Sequence, residues 1–473
     1  MFAKFWLFFL ICTAFCAAGY AEQSGAMNMN IMTQPSTSWK LSEKLLSLTA
    51  TGEFQYISFV RANKAFFGEE KNSASLTAAG VSVQTNENIK KISSLLDVHW
   101  FYVPEEDFHY FNLRELSREI HKDENTYWLG RHVHEWSEAD SYWSLGIWQP
   151  QFLWDYYNPQ EQGLTGIFSQ TTLTSNTKLN FFVSGIYLPD QAAQYRQENG
   201  QIKSKNPWFH TPPPVVELWS HNTPVNAHIE FEESLFKPSL AAQITRKFSD
   251  EIQGQLAYAY KPMNQMRVTY EYYIKAEPLD QVTEITIRPQ FPYEHVINTE
   301  LNWMRDDMKI NMSLSHQNPK TEKISSTNIA QQMVDATTAS LILSKKAQVG
   351  SIYAGIIKVW APMAVDEGEN AQARSQFDDR SLFYLASRLG ITGKVRSYRG
   401  RPITANVEGT YDYAENAALL QARADYSFTG ELSMGLSVNM IGEIGNTKDR
   451  YQKTFLRSNR ANDNANMVVS YVF

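Results

Sequence analysis

From residue 403 onward the chain alternates between apolar and polar positions. Ile403, Ala405, Val407, Gly409, Tyr411 and Tyr413 share one parity, and Thr404, Asn406, Glu408, Thr410 and Asp412 the other. Leu420, Ala422, Ala424, Tyr426 and Phe428 then oppose Gln421, Arg423, Asp425 and Ser427, and Leu432, Met434, Leu436, Val438 and Met440 oppose Ser433, Gly435, Ser437 and Asn439. Successive side chains of a strand point to opposite faces, so each run predicts a strand with one apolar and one polar face. The same period recurs at 251–261, 265–275 and 308–315. It is less regular at 46–61, 73–86, 89–102, 125–136, 164–174, 177–187, 226–236, 239–248, 282–288, 295–305, 334–345, 348–360 and 380–395. With a final strand at the C-terminus this makes about twenty candidates, some of which boundary errors would merge or split.

Longer connections fall at 104–124, 137–162, 188–224, 316–333 and 362–379. The 188–224 segment holds six of the eighteen prolines, among them Pro212-Pro213-Pro214, and cannot form one continuous strand. Within 104–124, residues Asn112 to Ile120 read as a short amphipathic helix with Leu113, Leu116 and Ile120 on one face.

Half-buried strands of a soluble β-sandwich alternate in the same way, so the period alone does not choose an architecture. Aromatic residues do. They collect at the ends of apolar rows (Tyr411 and Tyr413, Tyr426 and Phe428, Tyr471 and Phe473), as interfacial girdles of a membrane barrel do. A mean hydropathy of −0.40 agrees with this, because only alternate residues of a barrel strand meet lipid. The N-terminus adds an export signal: Lys4, then the apolar stretch from Phe5 to Ala18, then Gly19-Tyr20-Ala21 with small residues where a signal peptidase cuts. Its apolar run is too short to span a bilayer as a helix. Both cysteines, Cys12 and Cys16, lie inside this segment, so the mature chain is expected to lack disulfides and cysteine metal sites. Cleavage removes one lysine and takes the formal net charge from −7 to −8, an acidic balance that argues against a nucleic-acid partner.

The chain ends Asn466-Met467-Val468-Val469-Ser470-Tyr471-Val472-Phe473, with Met467, Val469, Tyr471 and Phe473 on one face. An exported chain whose last strand closes on an aromatic residue resembles the Gram-negative outer-membrane β-barrels of the porin type. The resemblance implies that Tyr471 and Phe473 form the signal read by the barrel assembly machinery. It also implies that the C-terminus lies in the periplasm. The fold expected is all-β: a cleaved signal at 1–21, a short periplasmic leader at 22–44, and a single antiparallel transmembrane β-barrel over 45–473 with several long loops. Even strand counts and about 452 mature residues give roughly 18 strands, with 16 or 20 as neighbours. Thr429-Gly430-Glu431 becomes a periplasmic turn and 445–464 an extracellular loop.

A barrel of this size encloses water rather than a filled core. Charged residues on the polar rows must face that lumen, because Arg or Lys on the lipid face near midplane costs about 2–4 kcal/mol. The candidate lumen-lining residues are Arg267, Glu271, Lys275, Lys309, Glu408, Asp412, Arg423 and Asp425. They either set a field for permeating solutes or neutralise one another, and their mixed signs point to the second. A basic run (Arg388, Lys394, Arg396, Arg399, Arg401) and an acidic one (Asp366, Glu367, Glu369, Asp378, Asp379) set no ion preference by themselves.

Trp128, Trp136, Trp143, Trp148 and Trp154 crowd a short segment. They read as loop packing and interfacial belt ahead of a stacking surface for solutes. Leu129-Gly130-Arg131, Trp136-Ser137 and Asp140 resemble strand-to-loop motifs of alginate-export-type barrels, over too short a span to carry a substrate across. Catalysis finds little support. Ser220-His221 and Ser315-His316 are sequence neighbours, which a strand sends to opposite faces. His132 and His134 share a face, but two imidazoles make a weak metal site. No cofactor is expected. The leading expectation is therefore a passive channel for small polar solutes in the outer membrane, reached by Sec-type export, with 188–224 as the first candidate for an inward-folded constriction. The alternative is a non-channel surface barrel, adhesive or structural, acting through its loops. Membrane lipid is the expected surrounding, and self-association into homo-oligomers is left open.

Overall fold

A computed structural model describes residues 39–40, 47–59, 75–89, 92–194, 196–198, 201–204, 206–208, 225–229, 236–276, 281–320, 328–330, 335–361, 382–414, 416–443, 456, 459 and 462–473. Eighteen of its strands close into one antiparallel ring. They are β1 (Ser47–Phe59), β2 (Ser75–Ile89), β3 (Ile92–Val103), β4 (Phe108–Lys122), β5 (Asn125–His132), β6 (Leu164–Thr174), β7 (Thr177–Ser184), β8 (Ser239–Lys247) and β9 (Ile252–Pro262). The second half comprises β10 (Tyr293–Arg305), β11 (Met308–Pro319), β12 (Ala336–Ala347), β13 (Gly350–Trp360), β14 (Leu385–Tyr398), β15 (Arg401–Asp412), β16 (Ala417–Ser427), β17 (Leu432–Glu443) and β18 (Asn464–Val472). Each strand pairs with the next, and β1 closes the ring on β18 with Thr51 opposite Val472 and Phe59 opposite Asn464. Eighteen tilted strands spaced about 4.8 Å apart make a ring roughly 35 Å across.

The faces of this wall are inverted relative to a soluble protein. On β10, Asn298 and Glu300 are buried while Ile297 and Leu301 are exposed. Asn311 of β11 is 0% exposed beside Met312 at 50%, and Ile356 of β13 stands 54% exposed on the outside. Paired residues share a face, so the polar row of each strand lines up with that of its neighbour, interrupted by apolar inward residues such as Phe168, Phe182, Val296 and Ile357 where loops pack on the wall. The apolar outer rows end in aromatic pairs, Tyr411 with Tyr413 at one end and Tyr426 with Phe428 and Tyr471 with Phe473 at the other, ring centroids 4.8–5.0 Å apart.

The two ends of the barrel differ. Connections 90–91, 123–124, 175–176, 248–251, 306–307, 348–349, 399–400 and 428–431 are all short and share an end with Phe473. Opposite them lie 60–74, 104–107, 133–163, 185–238, 263–292, 320–335, 361–384, 413–416 and 444–463. The turn expected at 429–431 lies at the short-turn end; β17 ends and β18 begins at the opposite end, and most of the loop expected at 445–464 lies outside the described residues.

Three expectations are corrected here. The helix expected at Asn112 to Ile120 is strand β4. Its register slips at Asp97/Val98, leaving Arg114 as an extra residue between Leu113 and Glu115. That bulge shifts the alternation by one, so Leu113, Leu116 and Ile120 acquire a spacing that mimics a helix. The strand at 265–275 and the candidates at 226–236 and 282–288 leave the wall. Arg267–Ala276, Gln281–Gln290, Val225–Ile229 and Asn328–Ala330 form a separate four-stranded sheet among the long loops. Arg267, Glu271 and Lys275 therefore stand on a strand outside the ring and not on a wall row. Side chains of any strand alternate between its two faces whether or not it belongs to the ring, which is why the period did not separate them. The expected signal segment, most of the leader and the proline triplet lie outside the described residues.

Candidate functional site

After His132 the chain turns into the barrel and crosses it. The segment 133–163 carries Trp136, Trp143 and Trp148, each at most 1% exposed. A connection holding that much aromatic surface gains more by folding over the inner wall than by standing in water. Trp136 stacks on Trp148 with centroids 5.2 Å apart, and both pack with Phe168, Phe182, Ala257 and Val296 of the surrounding strands. Trp143 packs on the far side with Ile357, Phe383, Ala386 and Leu419, and its indole N–H donates to Ser340 Oγ at 2.8 Å.

The crossing is held by polar bonds to opposite arcs of the ring. On one arc, Asn112 Nδ2 donates to Gln160 Oε1 (2.8 Å) and Arg114 Nε to the Glu161 carbonyl (3.2 Å). Across the lumen, Arg388 Nη1 donates to the Tyr142 carbonyl (2.6 Å) and Gln421 Nε2 to the Tyr157 carbonyl (3.2 Å). Between them, Gln255 Nε2 donates to the Trp136 carbonyl (2.5 Å) and Asn264 Nδ2 to the Gly146 carbonyl (2.7 Å). The wall strands β4 and β13 lie half a ring apart, and the loop reaches both. Gly355 of β13 is what lets it approach, because a Cβ there would lie 2.7 Å from the Tyr142 ring and 3.0 Å from that of Trp143.

Carboxylates shape the loop from within. Ser137 caps the short helix α1 (Glu138–Trp143), its hydroxyl accepting from Asp140 N. The same hydroxyl donates to Glu300 Oε1 at 2.5 Å, and Glu300 also accepts from the backbone N–H of Glu138 (3.2 Å) and Ala139 (3.4 Å). A wall carboxylate thus meets the unsatisfied amides at the helix start. Asp140 accepts from Ile147 N and Trp148 N, both at 3.0 Å, closing the turn after the helix. Asp155 accepts from Tyr157 N (2.9 Å), and Asp190 from Gln151 N (2.7 Å). Burial pushes Asp140 up to about 7, aided by the negative charge of Glu161, and burial does the same to Asp190. Burial also raises Glu138 and Glu161 above the ordinary carboxylate range. His134, buried and hydrogen-bonded through Nε2 to Gln243 Oε1 (3.1 Å), is pushed down to about 4 and stays neutral.

Five bases of the inner wall are held in pairs, while Arg131, buried beside Thr165, has no carboxylate partner among the described residues. Arg114 Nη1 meets Asp97 Oδ2 at 2.9 Å, Lys261 Nζ meets Glu294 Oε1 at 3.1 Å, and Arg388 Nε meets Glu408 Oε1 at 3.3 Å. Lys309 Nζ meets Glu138 Oε2 of the crossing loop at 2.6 Å, and Arg423 Nη2 meets Asp425 Oδ1 at 2.8 Å. Lys309, Glu408, Arg423 and Asp425 are therefore placed on the inner face, each with a partner. Asp412 sits at the loop end of β15, where it accepts from Tyr384 N (3.3 Å) and Ala414 N (2.7 Å) and organises the rim. Further carboxylates face inward without a lysine or arginine from these pairs: Glu115, bonded to His132 Nδ1 at 2.6 Å, Glu119, Glu300, and Glu135 and Glu161 of the loop. From 133 to 163 the chain holds Glu135, Glu138, Asp140, Asp155 and Glu161 and no lysine or arginine at all.

Sequence reasoning named 188–224 as the constriction, but the described residues that cross the lumen belong mainly to 133–163. Residues 206–208 pack against that loop, with Trp208 4.6 Å from Tyr157, and 209–224 lie outside the described residues. The tryptophans read as packing are packing: Trp136, Trp143, Trp148 and Trp154 are buried and offer no open face to a solute. Ser315 faces inward and bonds Asn298 Oδ1, while His316 faces out and bonds Thr337 Oγ1, so the pair is split between faces. Ser220 and His221 lie outside the described residues. Among the described residues no group of three or more His, Cys, Asp or Glu side chains is arranged to hold a metal. Glu135 and Glu138 of the loop and Glu300 of the wall were missed as site residues, and Arg388 was noted only as part of a basic run; the tryptophan density of 133–163 would have flagged the two loop residues.

No protein-family model matches the chain, and no curated protein does. Among solved structures it is similar to Acinetobacter baumannii OccAB4 (10% identity, TM-score 0.47, 92% of this chain and 99% of that chain). It is also similar to Pseudomonas aeruginosa OccK11 (8%, 0.46, 92% and 99%) and to a BenF-like porin from Pseudomonas fluorescens Pf-5 (9%, 0.46, 90% and 98%). Identities and scores this low say nothing about what passes through this barrel.

Proposed function

We propose that this chain is an outer-membrane channel through which small hydrophilic solutes diffuse passively, with 133–163 as its constriction. One observation carries the reading: a closed wall whose apolar rows face outward, exposed, and whose charged and amide rows face inward. Apolar surface exposed around a whole ring is stable only against lipid, and a closed barrel satisfies every backbone group there. Short turns then lie in the periplasm and long loops outside. Tyr471 and Phe473 on the outer face of β18 fit the role of an assembly signal, and lipid is the surrounding partner.

The charge pattern refines the substrate class. Arg114, Lys261, Lys309, Arg388 and Arg423 are each held by a carboxylate, Arg131 is the buried exception named above, and every charged residue of the crossing loop is acidic; the balance makes the field at the constriction negative, which favours cations and small amines over anions. Ser315 and His316 lie on opposite faces of β11, so that pair gives hydrolysis no support. Recording purified protein in planar bilayers tests the proposal. Discrete conductance steps are expected, and a barrel that inserts but never conducts refutes it.

A further inference from the structure

The basic run noted in the sequence takes a definite place in the fold. Lys394, Arg396, Arg399 and Arg401 lie on the β14–β15 hairpin, and Lys345 and Lys346 on the β12–β13 hairpin beside it, all at the short-turn end. Strands about 4.8 Å apart, with the β14–β15 hairpin extending several residues beyond the β12–β13 turn, spread these six cations over roughly 25 Å of the rim across four neighbouring strands. No carboxylate occurs on 344–361 or 385–407, so nothing on these hairpins offsets them; Asp306 and Asp307 flank one side and Glu431 the other.

Three features give the patch a direction. Lys345 pairs with Ile352, and Arg396 with Ile403, so both share the outer face with the apolar rows. Their stems run along that face while their charged heads reach the headgroup level. The Arg399 guanidinium lies over the Tyr398 ring, 5.5 Å from its centroid, at the level of the aromatic girdle. Most telling is the backbone of Arg399. It holds φ 50 at the first central position of a two-residue turn, followed by Gly400 at φ 78. The other non-glycine residues with positive φ at hairpin turns are Asp107, Asp123, Asp306 and Asn416, types that tolerate this region. An arginine there carries a strain that asparagine would avoid, and it adds a cation to a rim already crowded with them.

We infer that this rim binds the phosphate headgroups of anionic phospholipids in the leaflet at the short-turn end. The inference rests on the membrane reading above. The occupant is lipid because Lys345, Arg396 and Tyr398 lie on the lipid-facing side and not in the lumen or below the turns.

The test compares wild-type protein with a K345Q/R396Q/R399N/R401Q variant, both in nanodiscs of phosphatidylethanolamine mixed with phosphatidylglycerol. After gentle detergent extraction, retained lipid is counted by native mass spectrometry. Wild type is expected to retain phosphatidylglycerol several-fold above its share of the bilayer, with the excess falling as salt rises. The variant is expected to retain it only in proportion. Asparagine suits the turn at 399, so folding should survive, and an unchanged heat-modifiable gel shift verifies it. No enrichment in wild type, or equal enrichment in the variant, overturns the inference. So does a rim that captures an acidic protein while showing no lipid preference. Failure of either protein to enter a bilayer at all would instead count against the membrane reading.

Discussion

Glu300 is the point at which the wall grips the crossing loop, and removing it isolates that grip. Glu300→Ala deletes the acceptor for Ser137 Oγ at 2.5 Å and for two amides at the start of α1, at 3.2 and 3.4 Å. A buried donor left without a partner costs about 1–3 kcal/mol. The two amide contacts are long, so the low end applies, giving about 3 kcal/mol for the three donors. Asn311 Nδ2, which also reaches Glu300, keeps Asn302 Oδ1 at 3.0 Å and adds nothing. All of this loss falls on the in-folded loop, because the wall's backbone ladder between β10 and its neighbours does not involve the Glu300 side chain. Every 1.4 kcal/mol is tenfold, so the displaced loop becomes about a hundredfold more populated. Single-channel recording should show this as a large-conductance substate whose dwell fraction rises by that order, with the thermal midpoint of the barrel unchanged. Glu300→Gln keeps one acceptor oxygen and should move the dwell fraction about tenfold. If Glu300→Ala records like wild type, the loop is not held as described and the reasoning fails.

Further outcomes follow from the same geometry. Neutralising the loop with Glu135→Gln and Glu161→Gln should move the reversal potential in a salt gradient towards the anion side, and an unmoved potential would place the selective field elsewhere. Asp140 and Asp190 sit near 7 in the folded protein against an ordinary 3.8, so their buried anions oppose the in-folded loop above pH 7. That opposition fades as pH falls through 7 towards 3.8; open-channel noise should be lower at acidic than at alkaline pH, and the reverse order would contradict it. Gly355→Leu should displace the loop by filling the 2.7 Å approach to Tyr142, with a larger conductance as the readout and an unchanged one as the refutation. Removing Phe473 should lower outer-membrane levels and raise periplasmic degradation on immunoblots of fractionated cells, whereas equal levels would deny the terminus its assembly role.

The wall was legible because one physical rule writes it: with lipid outside and water inside, every strand must alternate. That rule found seventeen of the eighteen wall strands, the rims marked by Tyr411, Tyr426 and Tyr471, and the inward rows of Lys309, Glu408, Arg423 and Asp425. It failed where the rule is local. The bulge at Arg114 broke the phase of β4, and the sheet containing Arg267–Ala276 obeys the same alternation without belonging to the ring. The site was less legible for a different reason. Which loop folds inward depends on which one can bury its aromatic side chains and satisfy its amides against distant strands. Proline content drew attention to 188–224, while Trp136, Trp143 and Trp148 were the better guide. The pairing of Glu300 with the start of α1, more than 160 residues apart in the chain, has no signature in periodicity at all.

The most direct test of the channel assignment is single-channel recording of the purified, full-length protein in planar lipid bilayers, under a salt gradient. The expected result is discrete conductance steps with a reversal potential on the cation side. Verified insertion with no conductance at any voltage would contradict it.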